Sequence, residues 1–254
     1  MKVMILAAGR GERMKPLTDH CPKPLLKVAD IPLIEHHIRR LAAAGFREIV
    51  INHAWLGQQI VDYLGNGERW QVNIQYSDES SGALETAGGI AKALPLLTER
   101  QTEDSVFGIV NGDVFTDFDF SQWHQDAQCL SIDNSKQGCL YLVTNPEHNK
   151  EGDFALHQGI VEPLTETTKS LTYSGLALFK TSFFAQAPAS ANENAGDTVG
   201  EEKQQQKQAL GPMLKAAASQ QQLIGKHYQG LWTDVGTPER LSQLEHLLNK
   251  AKAK

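Results

Sequence analysis

The chain has 254 residues, a formal net charge of −6, and 41% hydrophobic and 21% charged residues. That is enough chain to bury a sizeable core, as one large domain or two small ones, in the range of an ordinary soluble enzyme. The acidic balance excludes a nucleic-acid binder acting through a basic field, and no apolar run reaches signal-peptide or membrane-spanning length, so neither a nucleic-acid nor a membrane partner is expected.

The first element is an apolar strand, Val3–Ala8. It breaks into Gly9-Arg10-Gly11-Glu12-Arg13-Met14 and soon reaches Pro22-Lys23-Pro24. Glycines let backbone N–H groups approach phosphate oxygens, and fixed cations neutralise the charge, as a triphosphate requires. A dinucleotide fingerprint would need glycine where Met14 stands, and the G-x-x-x-x-G-K-[ST] loop is absent. A plain surface turn is the competing reading. The flanking prolines are expected to hold Lys23 on a stiff extended segment, which favours phosphate.

A helix follows from Pro32 to Gly45, with Ile34, Ile38 and Leu41 on one face. His36 and His37 fall within it, and the nine histidines lack H-x-x-x-H spacing. Strands are expected at Glu48–Asn52, Val72–Ser77 and Val106–Val110, with helices over residues 55–64 and 86–97, the second disturbed by Pro95. This alternation predicts an α/β fold with a mostly parallel mixed sheet flanked by helices on both faces. The second half is less regular. Cys139–Thr144 and Leu171–Phe179 read as strands, Phe154–Leu156 and Gly159–Val161 as short ones. Residues 189–207 are polar enough to read as a disordered loop within a single 1–254 domain. The last helix has Thr237 as N-cap, Pro238 at its first position, Glu239 against the dipole, and Leu241, Leu244 and Leu248 on one face. Cys21, Cys129 and Cys139 lack C-x-x-C spacing and read as free thiols, with the cytoplasm as the expected location.

Two acids sit where chemistry is expected. Asn111-Gly112-Asp113 follows the strand Val106–Val110, and a ligand in a parallel sheet binds beyond the carboxyl ends of its strands. Asn-Gly is also a strong hairpin signal. Asp234 lies in Trp232-Thr233-Asp234-Val235-Gly236-Thr237, and Thr237 leaves it free of capping duty. A carboxylate pair beside a triphosphate suits Mg²⁺, so Asp113 and Asp234 are the candidate metal ligands.

Gly9-Arg10-Gly11-Glu12-Arg13-Met14-x-Pro16-Leu17-Thr18 with Pro22-Lys23-Pro24-Leu25 resembles the signature of the sugar-1-phosphate nucleotidylyltransferases. Leu84-Glu85-Thr86-Ala87-Gly88-Gly89, Asn111-Gly112-Asp113, Tyr173-Ser174-Gly175 and Trp232–Thr237 extend the resemblance along nearly the whole chain. It implies a nucleotide-diphospho-sugar transferase fold, glycosyltransferase-A-like and Rossmann-like. Ala8, Gly9, Gly11, Glu12, Arg13 and Lys23 would hold a nucleoside triphosphate, and Glu85 and Gly88 would lie at the base. Asn111, Asp153, Glu162 and Gly175 would line the sugar-1-phosphate pocket. Arg13, Lys23, Asp113 and Asp234 would carry catalysis, with Mg²⁺ as cofactor. Residues 51–57 and 111–117 are most similar to members that join UTP to the 1-phosphate of an N-acetylated amino sugar acid in cell-wall recycling. The alternatives are a guanylyl- or cytidylyltransferase for a substrate such as mannose-1-phosphate, and a nucleotide-sugar sensor without turnover. The chain departs from the pattern at Glu85, where many relatives have glycine. Between Glu162 and Pro163 it lacks the lysine many relatives carry, and residues 189–207 look inserted. No hexapeptide β-helix follows, and the sequence leaves oligomeric state open.

Overall fold

The nine-stranded central sheet begins with β1 (Val3–Leu6), whose side chains alternate between two cores: Val3 and Ile5 face one, Met4 the other. The computed structural model describes residues 1–82, 84–98, 104–185 and 207–252. Of the polar stretch 189–207, all but Lys207 lies outside those residues. After β1 come one-turn helices at Glu12–Met14, Leu17–Asp19 and Lys23–Leu25, then a small ribbon of β2 (Lys27–Val28) and β3 (Ile31–Pro32). Next are α1 (Leu33–Ala43), β4 (Glu48–His53), α2 (Gly57–Leu64), β5 (Asn73–Asp78), α3 (Glu85–Leu97), β6 (Val106–Asn111), β7 (Val114–Thr116) and α4 (Gln122–Ile132). The remainder is β8 (Gly138–Val143), β9 (Phe154–His157), β10 (Ile160–Glu162), β11 (Ser170–Lys180), α5 (Ser182–Ala185), α6 (Leu210–Ser219), β12 (Leu223–His227), β13 (Trp232–Asp234) and α7 (Pro238–Lys252).

The sheet order is β5-β4-β1-β6-β11-β8-β12-β10-β9. Its first four strands are parallel, as strand–helix alternation demands. Beyond β6 the pairing is mixed. β11 runs antiparallel to β6 and β8, while β12 lies parallel to β8. Ile34, Ile38 and Leu41 of α1, Ile60 and Leu64 of α2, and Trp123 and Leu130 of α4 cover one face. Ala87, Ile90, Ala93 and Leu97 of α3 cover the other, with Leu210 and Leu214 of α6. Each large side chain so buried contributes about 1.5–3 kcal/mol. A third cluster joins Met14 and Leu26 to Phe115, Val235 and Leu244, tying the glycine loop to α7. Met14, where a dinucleotide loop would have glycine, is therefore a core anchor.

The extended segment expected at Lys23 is corrected: Lys23–Leu25 is a 3₁₀ turn closed by Leu25 N–H to Pro22 O at 2.8 Å and Leu26 N–H to Lys23 O at 3.0 Å. Pro24 occupies its second position, where a missing N–H costs nothing because first-turn donors have no helical partner. The Asn111-Gly112 turn makes no hairpin, since β7 pairs with β13, setting Asp234 opposite Val114. Pro95 does not end α3, which runs through it to Leu97. Thr237 caps α7, accepting from Arg240 N–H at 3.3 Å, and the three cysteines are free thiols.

Candidate active site

The carboxyl ends of β1, β4, β5 and β6 open onto a cleft of about 580 Å³. Ala8, Gly9, Lys23, Glu85, Asn111 and Asp113 all line it, so six of the candidate residues meet around one cavity. Gly9 is exposed, and a Cβ there would meet no protein atom within 4 Å, so nothing in the fold itself requires glycine at that position. A ligand approaching the backbone would. Gly112 is required by the fold, because a Cβ would lie 2.7 Å from Leu6 O where β1 and β6 converge.

Lys23 is buried, and its Nζ donates to Asp113 Oδ2 at 2.7 Å. Asp113 is fixed from behind. Its carbonyl accepts from Val235 N–H at 2.9 Å, and the next carbonyl, of Val114, accepts from His37 Nε2–H at 2.7 Å. Burial pushes the His37 imidazole down to about 4, so it is a neutral donor at physiological pH.

Asp234 stands beside this turn on β13. Its Oδ2 accepts from Arg240 Nη1 at 2.9 Å and lies 3.3 Å from His148 Nε2, while its Oδ1 is buried without a partner. A buried carboxylate oxygen with no donor is costly unless something meets it. Among the described residues, no group of three or more His, Cys, Asp or Glu side chains could hold a metal ion. Two carboxylates with phosphate oxygens suffice for Mg²⁺, however, and Asp113 and Asp234 offer that oxygen-only donor set.

On the far side of Asp113, β11 carries a bulge between Tyr173 and Leu176. Gly175 in that bulge has φ +78°, and a Cβ would lie 2.7 Å from the Asn111 side chain. Asp153 Oδ2 accepts from Tyr173 N–H at 2.8 Å and its Oδ1 from Asn149 Nδ2–H at 3.1 Å, so this carboxylate holds the bulge in place. Trp232 Nε1–H donates to Ser174 O at 2.8 Å, joining the bulge to β13. Asn111, Asp153, Gly175 and the strand bearing Asp234 are thus linked. Glu162 sits apart from them on β10, between β12 and β9.

Gly11 and exposed Glu12 and Arg13 lie at the one-turn helix behind the loop, outside the cleft lining, and Gly88 is buried in α3. The cleft also holds residues that motif reading did not select: Arg10, Asn52, Trp55 and Glu79. Glu79 Oε1 accepts from Asn52 Nδ2–H at 2.7 Å, and Asn52 Oδ1 accepts from Ala7 N–H at 2.8 Å. Burial raises the Glu79 carboxyl above its ordinary range. Asn52 and Trp55 belong to the 51–57 segment, which was the available signal. Leu56 and Glu85, both lining the cleft, have positive φ without being glycine. Such strain clusters where surrounding structure enforces it, often at ligand sites.

The nucleotidyl transferase family model matches residues 2–251. N-acetylmuramate alpha-1-phosphate uridylyltransferase of Neisseria meningitidis serogroup B is 47% identical over 97% of this chain and 98% of its own length. A mannose-1-phosphate guanyltransferase of Gibberella zeae is 29% identical over 94% of this chain, which spans 62% of that longer protein. Among solved structures, HddC of Yersinia pseudotuberculosis complexed with GMP-PN superposes with a TM-score of 0.73 at 18% identity, covering 97% of this chain and 99% of that one. The family match over nearly the whole chain and the 47% identity over 97% of it lead to one conclusion: the chain belongs to the nucleotidyl transferase family.

Proposed function

We propose that the chain is a Mg²⁺-dependent uridylyltransferase joining UTP to N-acetylmuramic acid alpha-1-phosphate. The products are UDP-N-acetylmuramic acid and pyrophosphate, in peptidoglycan recycling in the cytoplasm. The observation that carries this reading is 47% identity over 97% of the chain to a relative of that name, with a cleft lined by the loop, Lys23 and Asp113.

A sugar-phosphate oxygen attacks the α-phosphorus of UTP as the bond to the leaving pyrophosphate breaks. The attacking oxygen is already anionic at neutral pH, so no general base is needed. Catalysis reduces to alignment and charge stabilisation. Backbone N–H groups of the Gly9–Gly11 loop bind phosphate oxygens, and Lys23 turns from Asp113 to neutralise the α-phosphate or the attacking phosphate. Arg13, on the one-turn helix outside the cleft lining, would meet the leaving pyrophosphate only by turning inward. Asp113 and Asp234 would hold Mg²⁺, which supplies charge neutralisation between the two phosphates. Asn111 and Gly175 shape the sugar side, held by Asp153 and Trp232 behind them.

Pyrophosphate release across the four triphosphates and a panel of sugar-1-phosphates tests the reading. UTP with the N-acetylmuramate phosphate is the expected best pair. A preference for GTP with mannose-1-phosphate would replace it with the guanylyl reading, and binding without release would make the chain a sensor.

A further inference from the structure

Arg10 lines the cleft, whereas Arg13, the arginine the family signature singles out, does not. The Arg10 guanidinium lies over the Trp55 indole, its carbon 3.8 Å from the ring centroid. Both side chains are anchored to one buried point: Arg10 Nη1–H donates to Thr18 O at 2.9 Å, and Trp55 Nε1–H to the same oxygen at 3.1 Å. Thr18 is fully buried, and its hydroxyl donates to Gly11 O at 2.8 Å, fastening the pair to the glycine loop. Trp55 is one of the few exposed large apolar side chains, at 39%, and it too faces the cleft.

An arginine fixed in plane by an aromatic face and held at one nitrogen keeps its other N–H groups directed outward. Here those groups are met only loosely. Nε lies 3.5 Å from Glu12 Oε1 and Nη2 3.5 Å from Asp19 Oδ1, both on partly exposed carboxylates. Screened contacts of that length are weak beside a bidentate phosphate contact.

The order of strands indicates which phosphates. The Asn111–Gly175 side lies beyond β6 and β11, whereas the loops bearing Arg10 and Trp55 follow β1 and β4, on the other side of Asp113. In-line displacement puts the leaving group opposite the attacking phosphate. With the sugar phosphate beyond β6, pyrophosphate leaves toward β1 and β4. Resting on the reaction proposed above, we infer that Arg10 binds the β- and γ-phosphates of the nucleotide and the departing pyrophosphate. Trp55 is its positioning residue.

Calorimetric titration of UTP and UMP into wild type, Arg10→Met, Arg10→Lys, Trp55→Phe and Trp55→Ala tests this. Arg10→Met should lose roughly ten- to a hundredfold in UTP affinity, the equivalent of one charge-assisted hydrogen bond, with UMP affinity unchanged. Arg10→Lys, which keeps the charge and loses the fork, should fall between, and it carries the test if the methionine variant does not fold. Trp55→Phe, which keeps a ring face and loses the Nε1–H bond to Thr18 O, should lose less UTP affinity than Trp55→Ala, which should approach Arg10→Met. The Michaelis constant for pyrophosphate in the reverse reaction should rise in parallel. Equal losses for UTP and UMP, no loss for either, or Phe behaving as Ala would overturn the inference, leaving only a latch on the loop. If the wild type releases no pyrophosphate from any triphosphate, the proposed reaction fails instead, while the UTP–UMP difference still reports on Arg10.

Discussion

In the parallel half of the sheet, candidate residues sit just after strands or at the helix that follows: Gly9 and Arg10 after β1, Trp55 after β4, Glu79 after β5 with Glu85 opening α3, and Asp113 after β6. In the mixed half they sit on a bulge, a two-stranded ribbon and a helix start: Gly175 in β11, Asp234 on β13, Arg240 in α7. Each residue of the first arrangement takes its place from the strand just before it, and contacts such as Lys23 to Asp113, 90 residues apart, then join the loops. The second is assembled by contacts such as Trp232 to Ser174, 58 residues apart. On the proposed reading, the nucleotide side is placed strand by strand, whereas the sugar side depends on a bulge and a ribbon meeting.

Breaking the junction between the halves should have the largest effect. Asp113→Asn or Asp234→Asn should each lower turnover by roughly a hundredfold or more, the scale of other catalytic electrostatic losses. Steady-state pyrophosphate release with and without EDTA checks this. Near-normal rates that EDTA leaves untouched would remove the metal from the account.

Gly175→Ala should separate the halves. A left-handed φ costs an L-residue roughly 1–2 kcal/mol, and the new methyl would press on Asn111. The KM for the sugar phosphate should rise about tenfold while that for UTP holds. Equal changes in both would mean the bulge serves the whole cleft.

A smaller effect concerns His37, which supports the turn from below. Its folded pKa, pushed down to about 4, lies below the unfolded value of about 6.5, so the unfolded chain binds more protons between them. This contribution to stability is fully present above pH 6.5 and is lost as pH falls toward 4, at up to ~1.4 kcal/mol per pH unit. Denaturant unfolding across that window should give a flatter pH profile for His37→Gln than for wild type.

The parallel half was legible because its signals are short-range. Apolar runs gave β1, β4, β5 and β6, and Ile34, Ile38 and Leu41 gave α1. The sequence places Lys23 but not its backbone, since Pro24 falls in a helical first turn, where its missing N–H costs nothing. The helix α4 escaped because its buried positions are Trp123, Asp126 and Leu130, and Asp126 masks the apolar stripe. In β12, Gly225 weakens the strand pattern, yet a Cβ there would lie 2.5 Å from Leu156 Cδ1 of β9 and 2.8 Å from Val161 Cγ2 of β10, so those side chains fill its place. The motif points to Asp234, but its ion pair with Arg240 and its contact with His148 join three segments and have no local signature. Arg10 went unselected for the opposite reason. A motif with two arginines does not say which faces the cleft, and the stack on Trp55 decides it.

On the proposed function, the mixed half selects an anionic amino sugar acid phosphate while the parallel half binds UTP. The most direct measurement is kcat/KM, with UTP held constant, for the 1-phosphates of N-acetylmuramate and N-acetylglucosamine, which differ only in the lactyl group. A buried carboxylate must be met by a cation or by backbone donors, so a site built for it discriminates against its absence. A clear preference for the N-acetylmuramate phosphate is the expected result. A preference for N-acetylglucosamine phosphate would contradict the substrate assignment while leaving family membership in place.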